Sequence, residues 1–269
     1  MNDVGKTARC GDASRAIFFG VSSLLFVASA AATLLLCSSM EAMGGTPMPG
    51  GWTMSALWAP VCGQTWLGAA VSFAGMWNIM MIAMMLPSLA PALWRYQEWV
   101  SGARAARAGA LTALAGAGYF IVWLIVGLLV FAAGAQLAAI ASEAPALAHT
   151  APAVAGMVVV TAGALQLTAW KARWLAGCAA MSSCCGPARF DVQAALRYGM
   201  RLGRHCLCCC GNLMAALLAA GVMDRPAMAL VAAAITAERL LPAGGRVARG
   251  IGIVTAAVGL VLVVRAVTE

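Results

Sequence analysis

The stretch GALTALAGAGYFIVWLIVGLLVFAAGAQLAAI, from Gly109 to Ile140, contains no Asp, Glu, Lys, Arg or His. About 20 consecutive apolar residues are enough for a helix to cross the hydrocarbon core of a bilayer. In a lipid environment such a helix satisfies its own backbone hydrogen bonds and needs no polar face. The stretch therefore predicts a membrane-spanning helix.

The composition of the whole chain agrees with this prediction. Of its 269 residues 63% are hydrophobic and only 10% are charged, whereas soluble domains carry about 25% charged residues. So few charges could not cover the surface of a soluble protein, and a single soluble domain is excluded. The net charge of +8 is not accompanied by a basic face interleaved with aromatic residues, so nucleic-acid binding is not predicted.

Six more apolar segments predict further spans. They are Ile17–Cys37, Trp66–Leu86, Val154–Trp170, Leu207–Met223, Pro226–Leu241 and Val247–Val264. We expect an all-α, polytopic transmembrane helix bundle that forms one domain over residues 1–269. Seven spans are predicted and six are the alternative, because Pro226–Leu241 is short enough to be a re-entrant segment.

The distribution of basic residues favours seven spans. With the N-terminus in the cytoplasm, this topology leaves only Arg225 and Arg265 outside the cytoplasmic regions, as the positive-inside rule requires. Residues 38–65 then form a Met-rich external loop. Residues 171–205 form a basic cytoplasmic loop that contains cysteines.

A methionine cluster lies in the second segment, GMWNIMMIAMMLPSLAP. Met76, Met80 and Met84 recur every four residues and share one helical stripe, with Met85 beside it. Pro87 is expected to end or kink the helix. Methionine often fills gaps in a helical core, but a ladder of thioethers is also a soft ligand set that selects Cu(I).

A second cluster is the sequence RHCLCCCGNLM, which begins at Arg204. Cys206, Cys209 and Cys210 share one helical face, Met214 continues that face, and His205 is adjacent. Cys208 points to the opposite side. A bare thiolate would be costly in lipid, so this face predicts a bound cation or redox chemistry.

Other residues allow both a functional and a structural interpretation. Cys178, Cys184 and Cys185 in the predicted cytoplasmic loop either deliver metal or are spectators. Glu238 is a carboxylate in an apolar segment and hence a functional candidate, or it lies with Arg239 at the membrane interface.

The external loop allows the same two interpretations. Its methionines either capture Cu(I) or pack on the membrane, and these residues are Met40, Met43, Met48 and Met54. Cys37 and Cys62 could form a disulfide on that side.

Three blocks resemble the signatures of a known family. WNIMMIAMMLPSLAP (Trp77 to Pro91) resembles W-x-x-M-x-x-A-M-M-x-P-x-x-x-P, and ALQLTAWKARWLAGC (Ala164 to Cys178) resembles Y-Q-x-T-P-x-K-x-x-C-x-x-x-C. The region that begins at Cys206 resembles C-x-G-C-C-x-x-L-M, followed by G-V-M and E-K-x-x-P. In this order the blocks resemble the bacterial family of predicted metal-binding integral membrane proteins, some of which are described as copper-handling.

The resemblance extends from Trp66 to the C-terminus and implies an inner-membrane protein with a metal site. Its motifs map onto Met80, Met84, Met85, Lys171, Cys178, Cys206, Cys209, Cys210, Met214, Met223 and Glu238. This chain departs from the family at Trp174, where a cysteine is expected, at Ala169, where a proline is expected, and at Cys208, where a glycine is expected.

These observations favour a Cu(I)-binding membrane protein, not an enzyme, that transports copper or delivers it to a copper-accepting protein or a larger membrane complex. Zinc is a less favoured ion. The predicted metal residues are Met80, Met84, Met85, Cys178, His205, Cys206, Cys209, Cys210, Met214 and Glu238. One alternative is a membrane thiol–disulfide oxidoreductase that uses the C-x-x-C pair of Cys206 and Cys209. The other is a structural subunit of a membrane complex.

Overall fold

The computed structural model describes residues 3–47, 53–55, 58, 63–144, 148–183, 191–221, 224–241 and 244–268. In these residues the chain is helical except for one short ribbon. The helices are α1 (Asp3–Met43), α2 (Trp66–Arg104), α3 (Ala108–Glu143), α4 (Ala151–Gln166), α5 (Ala169–Ser183), α6 (Val192–Ala220), α7 (Arg225–Leu240) and α8 (Gly244–Thr268). A 3₁₀ turn, Ala105–Arg107, joins α2 to α3. Between α1 and α2, strand β1 (Gly45–Pro47) pairs antiparallel with β2 (Thr53–Ser55).

Five helices in the described residues are long and apolar enough to cross a membrane, namely α1, α2, α3, α6 and α8. The bent pair α4 and α5 makes six if it forms one broken span. The predicted seven spans are therefore one too many, and the six-span alternative agrees with the upper count. The difference is α7, whose 16 residues reach only about 24 Å and fall short of the roughly 30 Å hydrocarbon core.

The predicted span Val154–Trp170 is wrong as a single straight helix. The chain bends by 66° between α4 and α5. At the end of α4 a hydrogen bond spans three residues in place of four, since the Leu167 N–H donates to the Ala164 carbonyl at 3.0 Å. The bend carries Lys171 into the core, where it is 1% exposed. Residues 171–205, which we expected to form a loop, contain most of α5 and the first half of α6.

Helix α2 runs on beyond the point where we expected a proline to end it. Pro87 and Pro91 both lie inside the helix. Prolines within membrane helices are tolerated where neighbouring groups satisfy the freed backbone, and the Ser88 hydroxyl donates to the Met85 carbonyl at 3.0 Å. The buried Met80–Met85 segment and the residues beyond Pro87 therefore form one continuous wall of the core.

Glycines let two helix pairs approach closely. At Gly118 and Gly199, an added Cβ would collide with backbone atoms across the α3–α6 contact, and at Gly163 and Gly259 across the α4–α8 contact. Small residues at helix contacts are typical of packing in lipid. The α3–α6 contact fixes the cysteine face of α6 against α3.

We expect Gly199→Ala to lower stability by about 1–3 kcal/mol, the usual effect of overpacking, since its methyl group would meet the Ala115 carbonyl. Gly211→Ala, in the same helix, is the matched control because its Cβ would meet only a Leu207 methyl at 3.6 Å. That variant should be neutral or slightly stabilising, as alanine favours helices over glycine. Thermal melting in detergent, followed by tryptophan fluorescence, measures both, and equal melting temperatures would contradict the close contact.

Candidate metal centre

Four helices meet around the side chain of Cys206, which is fully buried. The Cys206 Sγ lies 3.9 Å from Cys210 Sγ on the same helix and 4.0 Å from Met85 Sδ on α2. The Tyr119 hydroxyl of α3 donates to this sulfur at 2.9 Å. Arg239 Nη1 of α7 donates to it at 3.2 Å. Cys206 is therefore the central residue of the site, and through Met85 it joins α2 to the cysteine face of α6.

The sulfur spacing suits two ligands of one metal ion. Metal–sulfur bonds in proteins are about 2.3 Å long, so two sulfurs at a trigonal angle of 120° lie about 4.0 Å apart. The separations of Cys206 from Cys210 and from Met85 both match this value. Cys209, next to Cys210 in sequence, is also fully buried and extends the row of cysteines along α6.

Two donors favour the charged form of the Cys206 sulfur. The Tyr119 hydroxyl and the Arg239 guanidinium both point at it, and charge-assisted hydrogen bonds are roughly twice as strong as neutral ones. Arg239 is held in place by a second hydrogen bond from Nη1 to Ser88 Oγ, at 3.1 Å. The thiolate is the form of cysteine that binds metal, so this environment prepares Cys206 as a ligand.

A buried ion pair borders the sulfur row. Lys171 Nζ of α5 lies 2.7 Å from Glu238 Oε2 of α7, and both side chains are almost wholly inaccessible to solvent. Lys171 also donates to the Cys209 carbonyl, and Gln166 of α4 donates to the other Glu238 oxygen. Three helices, α4, α5 and α7, are thereby linked to the backbone of α6, which carries the cysteines.

A family model described as "PpoB2: Copper chaperone" matches residues 74–262. The chain belongs to this copper chaperone family. The match includes Cys206 and every residue named above as contacting it, and the predicted metal, copper, is confirmed at this level. No curated protein and no solved structure matches the chain.

Not all of the predicted metal residues gather at the centre of this copper chaperone. Met80, Met84 and Met214 are buried in the same hydrophobic core; among the described residues, Met85 is the methionine whose sulfur approaches Cys206. The His205 ring packs against Trp174 of α5, with ring centroids 5.2 Å apart. The carboxylate of Glu238 binds Lys171, which makes it a structural neighbour of the sulfurs.

Several predicted residues lie outside the part that the structure describes. The side chains of Cys178, Met40, Met43 and Met54 belong to this group, as do the whole residues Cys62, Met48, Cys184, Cys185 and Met223. Within the described residues, no three His, Cys, Asp or Glu side chains form a metal cluster. The third sulfur near Cys206 and Cys210 is instead the thioether of Met85, 4.0 Å from Cys206 Sγ.

Tyr119 and Arg239 were not among the predicted site residues. The sequence contains a signal that could have indicated Tyr119 as a site residue, because Tyr119 is the single ionisable side chain in the apolar stretch Gly109–Ile140. Arg239 was interpreted only as an interfacial neighbour of Glu238. Its contact with Cys206 on the preceding helix could not be deduced from the pattern, since α7 could have packed against α6 in several rotations.

Proposed function

We propose that this chain is an integral membrane Cu(I) chaperone that holds the ion at Cys206 and transfers it to a copper-accepting partner. The observation that carries the proposal is the buried Cys206 sulfur, which lies about 4 Å from the sulfurs of both Cys210 and Met85. The long apolar helices support a multi-pass membrane location. The bacterial inner membrane and the cytoplasmic N-terminus are part of the proposal, and they rest on the family resemblance and on the basic residues that precede the first span.

The chemistry of the site suits capture and release of copper. Thiolate and thioether sulfurs are soft ligands that favour Cu(I), and a thioether adds no charge. A set of two or three sulfurs leaves the ion open to an incoming ligand from a partner. Copper then moves by ligand exchange, in which each bond to Cys206, Cys210 or Met85 is replaced by a bond to the acceptor, and no electron is transferred.

The test is the copper content of protein purified anaerobically after loading with Cu(I), measured by elemental mass spectrometry. The wild type should hold close to one copper per chain, and the Cys206/Cys209/Cys210→Ser triple variant should hold almost none. Cys208→Ser is the matched control, since Cys208 lies on another face of α6 and is half-buried; it should retain copper. Equal copper in the wild type and the triple variant would refute the proposal.

Met85→Leu separates copper binding from thiol–disulfide exchange. We expect the variant to bind Cu(I) about 10-fold more weakly, because it loses a sulfur 4.0 Å from Cys206 while leucine preserves the volume. Met81→Leu is the control, since Met81 is equally buried and one turn earlier in α2. Competition with a chromogenic Cu(I) chelator measures the affinity. Unchanged affinity, together with reversible Cys206 oxidation, would favour the oxidoreductase.

A further inference from the structure

The sulfur donors at Cys206 do not by themselves choose between soft metal ions. Thiolates bind Zn²⁺ and other divalent ions as well as Cu(I). A selective copper site therefore needs a feature other than softness. The feature that this structure offers is a permanent positive charge in direct contact with the central ligand.

Arg239 carries that charge. Its Nη1 is 3.2 Å from Cys206 Sγ, so an ion bound to this sulfur would lie at most about 5.5 Å from the guanidinium nitrogen, given a metal–sulfur bond of about 2.3 Å. Arginine stays protonated in proteins. Its repulsion of a bound cation rises in proportion to the ionic charge, so a divalent ion is repelled twice as strongly as a monovalent one.

The buried surroundings of Cys206 increase this difference in repulsion between divalent and monovalent ions. Cys206, Cys209 and Cys210 are fully buried, and electrostatic interactions are stronger where water is excluded. The neighbouring charges of Lys171 and Glu238 compensate each other as an ion pair. Ser88 accepts a hydrogen bond from Nη1 at 3.1 Å, which favours the position of the guanidinium beside Cys206.

We infer that Arg239 is a specificity-determining residue that makes the Cys206 centre selective for a monovalent soft cation over divalent thiophilic ions. The inference rests on the proposed copper function and adds the charge class of the ion to it. It assigns Arg239 a role in discrimination, through repulsion, in addition to its support of the thiolate.

The test is competition between Ag(I), a redox-inert monovalent probe, and Cd(II), a divalent thiophilic one, at equal concentrations and fixed pH. Elemental mass spectrometry of the detergent-solubilised protein gives the ratio of bound Ag(I) to bound Cd(II). Arg239→Gln should lower this ratio about 10-fold or more. Arg239→Lys, which keeps the charge, should stay within about threefold of the wild type. Arg249→Gln, at an exposed position of α8, is the matched control and should not change the ratio.

An Arg239→Gln variant with the wild-type ratio would overturn the inference and leave the copper function standing. A wild type that binds neither Ag(I) nor Cu(I) would overturn the proposed function itself. If Arg239→Gln does not fold or binds neither ion, Ser88→Ala is the variant to measure. It removes the hydrogen bond between Ser88 and the Arg239 guanidinium, so the ratio of bound Ag(I) to bound Cd(II) should fall about threefold. An unchanged ratio in Ser88→Ala would then overturn the inference.

Discussion

Lys171→Met should lower the free energy of unfolding by about 3–5 kcal/mol, the usual effect of removing one partner from a buried ion pair. Lys171 and Glu238 are 2.7 Å apart and inaccessible to solvent, so the substitution leaves a carboxylate buried without its cation. It also leaves the Cys209 carbonyl without its Lys171 donor. Thermal or denaturant unfolding in detergent, followed by tryptophan fluorescence, measures the loss.

Two further variants show whether the loss comes from the ion pair. Lys171→Met/Glu238→Gln removes both charges, and its amide can still accept the hydrogen bond from Gln166, so we expect it to recover more than half of the lost stability. Arg173→Met removes an exposed charge from the same helix and should change stability by less than about 0.5 kcal/mol. A double variant as unstable as Lys171→Met would contradict the ion-pair explanation.

The helical architecture was largely predictable because its cause is local. Each long apolar segment carries its own information, and each predicted segment overlaps a described helix, although Val154–Trp170 includes the break between α4 and α5 and Leu207–Met223 runs past the end of α6. The errors arose where a segment was marginal. Helix α7 is too short to span by itself, and the apolar run from Val154 to Trp170 contains a bend that hydropathy does not register.

The centre was predictable only in part, since its contacts join distant regions of the chain. Helical periodicity placed Cys206, Cys209 and Cys210 on one face, and all three are buried. Periodicity could not show that the sulfur of Met85 lies within 4.0 Å of Cys206, since Met76, Met80 and Met84 form the more regular stripe. The partner of Glu238 is Lys171, 67 residues earlier, and the bend after α4 that brings them together has no marker in the pattern.

The positions of the charged residues were also only partly predictable from the sequence. The positive-inside rule counts Lys171 and Arg239 as surface charges, yet one is buried and the other contacts a buried thiol. Both charges are tolerated in the core because each has a partner there, as charged groups in a membrane interior require. A basic residue in the sequence can therefore belong to the buried site, and its position does not always indicate the topology of the chain.

Cys206→Ser should weaken Cu(I) binding about 100-fold or more, a larger effect than any other single cysteine substitution. Cys206 is the sulfur that approaches both Cys210 and Met85, so its loss breaks both ligand pairs, and loss even of residues behind the ligands commonly costs 10- to 100-fold in metal affinity. Cys209→Ser should cost about 10-fold, because Cys209 is buried beside Cys210 in sequence and would act behind it. Cys208→Ser should have no effect. Anaerobic competition with a chromogenic Cu(I) chelator ranks the three variants. If Cys209→Ser were the most damaging, the ion would lie further along α6, towards Glu238, and Arg239 would be too far away to govern its charge.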